Sequence, residues 1–184
     1  MSQTTKKALA QSLKRLMAQK PLSKITIADI TEDCGINRMT FYYHFQDIYD
    51  LIEWICLEEG GQAIQGKTTY QTWQDGFVAL CRATLDNRVF VEGVTHSLQR
   101  EYIENYLLRM IYGLLYNVVE ELSMEYGLSQ ASKEYITNFY KYGFVGVMMD
   151  WVRNGMKVKC SPSQGQIHLT HGGSMPSGYS PVVI

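Results

Sequence analysis

The chain has 184 residues, 46% of them hydrophobic, with a net charge of −1. That is enough for one small module plus a domain with its own core, and it excludes a generally basic nucleic-acid coat. With no apolar run of about 18 residues and no signal-type leader, membrane insertion and secretion are not expected, and the chain reads as cytoplasmic.

Charge is unevenly distributed. Residues 1–46 carry seven Lys/Arg against three Asp/Glu, a balance of +4, which leaves −5 for the remainder. A basic head on an acidic body suits one face meeting phosphate while the rest stays off it. Cys34, Cys56, Cys81 and Cys160 show no metal-ligand or redox spacing, and the first three fall at apolar helix positions. They read as reduced core residues.

In chain order, Leu9, Leu13, Leu16 and Met17 recur at helical spacing, while Lys7, Gln11, Lys14 and Arg15 face water. This helix stops before Pro21 and should support the next two helices from behind. Thr26 and Asp29 have capping-box spacing, with Ile25 and Ile30 as a hydrophobic staple. Gly35 supplies the left-handed residue that ends the second helix. The start signal repeats at once, with Ile36, Asn37 as cap and Phe41, and again with Asp47 as cap and Asp50. Two short helices across a glycine turn form a helix-turn-helix, whose second helix, here about Arg38 to His44, can enter the DNA major groove.

Ile48, Leu51, Ile52 and Ile55 stripe a helix to about Glu59. Gly60, Gly61 and Gly66 then loosen the chain at a domain junction. Tyr70, Trp73, Phe77, Leu80, Cys81 and Leu85 stripe another helix, and residues 87–97 read as a connection. Two long helices come next, Leu98 to Tyr126 and Ser129 to Asn154, split by Gly127 as stop and Ser129 as cap. There is no internal repeat and no strand pattern. From Cys160 onward the sequence holds no Asp, Glu, Lys or Arg and reads as a disordered tail. His168 and His171, three apart within it, do not amount to a metal site.

The run Thr26 to Leu51 resembles the DNA-binding domain of TetR-type transcriptional regulators. The residues that carry the resemblance are Ile27 and Ala28, Gly35 and Ile36, Thr40-Phe41-Tyr42-Tyr43-His44-Phe45, and Leu51, within a match over about residues 5–55. One position departs: the family's usual phosphate-contacting Lys at the start of the next helix is Ile48 here. The run YYHFQDIYDLIEW and the short body are similar to a branch that includes activators of dihydroxyacetone-kinase operons, where at least one member takes its signal from a partner protein. The expected architecture is all-α. A three-helix helix-turn-helix DNA-binding domain (1–46) precedes a helical ligand-binding and dimerisation domain (47–159) and the tail (160–184).

Phe41 and Phe45, four apart, should lock the reading helix to its neighbours. Arg38 is the best base reader, because its fork matches guanine O6 and N7, and Met39 and Thr40 can meet a thymine methyl or a base edge. The resemblance implies phosphate contacts from Tyr42, His44 and Thr26, with Tyr43, Asn37 and the arm residues Lys6 and Lys7 completing the DNA-facing set. One such module spans few base pairs, so a homodimer on a palindromic double-stranded operator is expected. Residues 139–151 are apolar on nearly every side, and Gly143 and Gly146 suggest close helix approach. Phe139, Gly143, Gly146, Val147 and Trp151 are therefore the candidate dimer contacts. The resemblance also implies a small-molecule pocket, for which Trp54, Trp73, Phe77, His96, Tyr102, Tyr106 and Met110 are candidates, unless a partner protein carries the signal. No cofactor or metal pattern is present, and with only His96 left outside the DNA helix and tail, no enzyme is expected. The function read from the sequence is a dimeric, sequence-specific regulator, a repressor by default. The alternative is a helical interaction protein of the same shape that no longer reads DNA.

Overall fold

A computed structural model describes residues 2–98, 100–157, 161–163 and 166–168. It is built from eight α-helices: α1 (Ser2–Met17), α2 (Ile27–Cys34), α3 (Arg38–His44), α4 (Ile48–Ile64), α5 (Trp73–Asp86), α6 (Arg88–Ser97), α7 (Arg100–Tyr126) and α8 (Gln130–Arg153). A single 3-10 turn, Leu22–Lys24, joins α1 to α2. The all-α architecture matches the sequence pattern. Details differ from the expectation: α4 continues through Gly60 and Gly61, residues 88–97 form a helix in place of the expected connection, and α5 and α7 start at Trp73 and Arg100.

The chain forms two compact units, each of two segments: Met1–Gly60 with Asn87–Tyr106, and Gly61–Asp86 with the chain from Leu107 onward. Thus a linear boundary at residue 46 does not describe the first unit. The reason is apolar: Phe90 and Val94 of α6 are buried with Leu9, Leu13 and Met17 of α1, Ile30 of α2, Phe41 of α3, and Leu51 and Ile55 of α4. Each such side chain contributes roughly 1.5–3 kcal/mol on burial, so α6 is part of this core. Lys14, expected to face water, is half-buried. Its ammonium meets the Glu59 carboxylate and lies 2.6 Å from Asn87 Oδ1.

In the second unit, Phe77, Leu80 and Cys81 of α5, Ile111, Leu114 and Val118 of α7, and Val145, Met148 and Trp151 of α8 are buried. Phe144 meets Trp73 and Phe77 edge-on at 5.7 and 5.0 Å. Lys133 of α8 pairs with Glu120 of α7 at 2.7 Å. Tyr70 lies before α5, exposed, its amide donating to Glu121 Oε2 at 2.8 Å. In the expected tail, Ser161–Ser163 and Gln166–His168 pair as an antiparallel ribbon, β1 and β2, with Ser161 opposite His168. The remainder of the tail, with Cys160 and His171, lies outside the described residues.

Candidate nucleic-acid interface

The site begins with the caps that aim α2 and α3. Thr26 Oγ1 accepts from the Asp29 amide at 3.2 Å, and Asp29 Oδ2 accepts from the Thr26 amide at 2.7 Å, a complete capping box. Gly35 ends α2 at φ 67° and ψ 30°, where a side chain would be strained, and the Ile36 amide returns to the Thr31 carbonyl at 2.9 Å. Asn37 then caps α3, its Oδ1 accepting from the Met39 amide at 2.8 Å. These two residues turn the chain and restart it as a helix within three positions.

The seven-residue α3 is sharply two-sided. Phe41 is 0% exposed and Phe45, just past the helix, 2%, whereas Met39 is 73%, Tyr42 49% and Tyr43 83% exposed. Arg38 is also exposed, and Thr40 and His44 are half-buried. Leaving a methionine and two tyrosines in water on one short helix is unfavourable for a free-standing surface and favourable for a groove reader. Tyr42 rests edge-on against Phe41 at 5.8 Å, and Tyr43 against His44 at 5.0 Å, so both rings are oriented while their outer faces stay open.

The charges around this face are organised. Lys20 lies 3.0 Å from Asp29 Oδ2, and Arg15 lies 2.5 Å from Asp33 Oδ2. The Thr26 amide, then Lys20, hold the Asp29 carboxyl down at about 2. Hydrogen bonds from Ser12 and Arg15 lower Asp33. Two of the three acidic residues of α2, Asp29 and Asp33, are thereby paired, while Glu32 is exposed. The pairing is not legible in the sequence, because the basic partners are distant along the chain and meet the carboxylates only in the fold. Thr26 Oγ1, a candidate phosphate donor, lies 2.8 Å from Asp29 Oδ2. Lys7 is exposed, while Lys6 is half-buried, its ammonium 5.4 Å from the Phe45 ring centre.

The seven candidate pocket residues divide between the units. In the first, Trp54 packs on Phe45 at 5.9 Å, and buried Tyr106 donates its hydroxyl to the Glu53 carbonyl at 3.0 Å. His96 and Tyr102 of that unit are exposed. In the second, Trp73 and Phe77 pack with Phe144, and Met110 is half-buried. Of the candidate dimer residues, Phe139, Gly143, Gly146 and Val147 are exposed on α8, in line with exposed Tyr135 and Tyr142. Trp151 corrects the set: it is buried, and its indole nitrogen has no hydrogen-bond partner among the described residues. At about 100° per residue it sits ~120° around the helix from Phe139, on the inward side.

Among the described residues no three metal-ligating side chains come together, and no helix is long and apolar enough to cross a membrane.

Comparison with known proteins agrees with this geometry. The profile of bacterial regulatory proteins of the tetR family matches residues 9–55, and that of a transcriptional regulator C-terminal region, also of the TetR type, matches residues 71–161. The sequence is 25% identical over 162 residues to the dhaKLM operon transcriptional activator DhaS of Lactococcus lactis subsp. lactis (strain IL1403), covering 87% of this chain and 86% of that one. The solved structure of a dihydroxyacetone kinase operon activator DhaS is similar in fold, with TM-score 0.65 at 24% identity, covering 82% of this chain and 85% of that one. A tetR-family transcription regulator from Shewanella sp. PV-4 has TM-score 0.51 at 16% identity, covering 83% of this chain and 87% of that one. Two profiles of one family, in the right order on a helix-turn-helix head and a helical body, place this chain: it belongs to the TetR family of transcriptional regulators.

Proposed function

We propose that the protein is a cytoplasmic, non-catalytic regulator that binds double-stranded operator DNA as a homodimer, one α3 in each half of a palindrome. The observation that carries this is the outward face of α3, with Arg38, Met39, Tyr42 and Tyr43 in water over a buried Phe41. Arg38 reads a guanine, Met39 and Thr40 read base edges, and Tyr42, Tyr43, His44, Thr26, Asn37 and Lys7 hold phosphates. The exposed α8 stripe of Tyr135, Phe139, Tyr142, Gly143 and Gly146 supports a second copy as its cover.

Binding is controlled by a small-molecule effector or a partner protein. Trp54 and Tyr106 are engaged within the first unit, and His96 and Tyr102 are exposed, which favours the partner. Repression results if the operator overlaps a promoter, and activation if it lies beside one. Similarity to an activator of a dihydroxyacetone kinase operon supports activation, and genes for small hydroxy-ketone metabolism as the target.

The test is selection of genomic fragments by the purified protein at about 150 mM salt, where non-specific phosphate binding is weak. One enriched palindrome, lost with Arg38→Ala, is the expected result. No enrichment even at low salt would favour the interaction protein that no longer reads DNA.

A further inference from the structure

Lys6 stands apart from the other basic residues of the head. It is half-buried, and its ammonium lies over two aromatic rings at once, 5.4 Å from the Phe45 ring centre and 5.7 Å from that of Trp54. Those rings are themselves packed at 5.9 Å, and Phe45 packs on Phe41 at 5.9 Å. Phe45 also caps α3, its amide donating to the Phe41 carbonyl at 2.9 Å. The C-terminal end of a helix carries partial negative charge, which adds to the attraction of the ring faces for a cation.

We infer that Lys6 is a positioning residue for operator reading: its ammonium, held by Phe45 and Trp54, pins the start of α1 to the end of α3 and fixes the angle at which α3 meets DNA. This reassigns Lys6 from the phosphate-contacting set and leaves Lys7, exposed beside it, in that role. The chemistry separates the two residues. A cation over two ring faces has its charge partly satisfied within the protein, whereas an exposed ammonium exchanges counterions for phosphate. The inference rests on α3 being the DNA-reading helix, and the experiment has one arm that does not.

That arm uses DNA-free protein. Lys6→Met keeps the stem and removes the charge, and amide exchange at Tyr42 to Phe45 should speed by about threefold or more, with Lys6→Arg restoring it, since a guanidinium also stacks on aromatic faces. Unchanged exchange in Lys6→Met overturns the proposal. In the second arm, affinity for the selected operator and for random-sequence DNA is measured across salt concentrations. Lys6→Met should lose at least about threefold on the operator only, with the salt slope unchanged, while Lys7→Met lowers the slope by about one. A slope change of that size in Lys6→Met overturns the proposal, because it makes Lys6 a phosphate contact. If the wild type selects no operator, the DNA-reading assignment of α3 has failed, and amide exchange still decides the role of Lys6.

Discussion

Replacing Gly143 and Gly146 by alanine sets two effects against each other on the exposed face of α8. Within one chain, a Cβ built at either position meets nothing within 4 Å. Removing a helix-interior glycine should then stabilise the subunit by about 0.8–1 kcal/mol per site. If a second copy covers the stripe at the close end of the interhelical range, near 8 Å, each added methyl overpacks the contact. Overpacking costs about 1–3 kcal/mol, which weakens association by ~5- to 150-fold per site. Gly61→Ala on α4, also exposed and also free of neighbours within 4 Å, is the control for helix propensity alone. Sedimentation over a dilution series gives the association constant, and urea unfolding at the lowest concentration gives subunit stability. The reasoning is refuted if both α8 variants gain stability and dimerise like wild type, as Gly61→Ala should.

The Asp29 carboxyl, lowered to about 2, stabilises the fold fully above its ordinary value of 3.8, and that contribution is lost as pH falls toward 2. Asp29→Asn should therefore lower the urea midpoint at pH 5 and converge with wild type near pH 2; a constant difference across that window would count against the Thr26–Asp29–Lys20 network. Gly35 holds φ 67°, and a methyl added there would meet nothing within 4 Å, so Gly35→Ala tests backbone strain alone. It should lower stability by about 1–2 kcal/mol, and Gly35→Asn by less, as read from urea unfolding; equal effects would show that the left-handed conformation is not what matters there.

What the sequence disclosed was local. The Thr26 box, the Gly35 stop and the Asn37 cap act within four residues, so their chemistry is written in adjacent letters, and α3 emerged with the bounds read for it. The missed helix α6 shows the converse. It starts at Asn87, a residue type that normally caps through its side chain, yet no such bond forms. Asn87 Oδ1 instead accepts from Lys14, 73 positions earlier, and Lys14 was misread as solvent-facing for the same reason. Trp151 failed differently: the α8 pattern is apolar on most sides, and only packing against α5 and α7 selects which of those sides turns inward. The pocket candidates were chosen by type and spacing, and tertiary partners such as the Glu53 carbonyl for Tyr106 are invisible at that level.

The first unit is assembled from two stretches of sequence separated by 26 residues, Gly61–Asp86, and that has a consequence for how this protein can be cut and how it is born. A fragment ending at residue 60 would carry every side chain proposed to face DNA but lack Phe90 and Val94, leaving the apolar flank of α1 uncovered. Grafting residues 1–46 onto another protein would strip away more. During synthesis the head cannot close its core until α6 has left the ribosome, by which time α5 has already emerged. The first unit therefore closes its core only after a segment of the second has been made, and transplants of its specificity should exchange surface residues of α3 rather than the N-terminal segment.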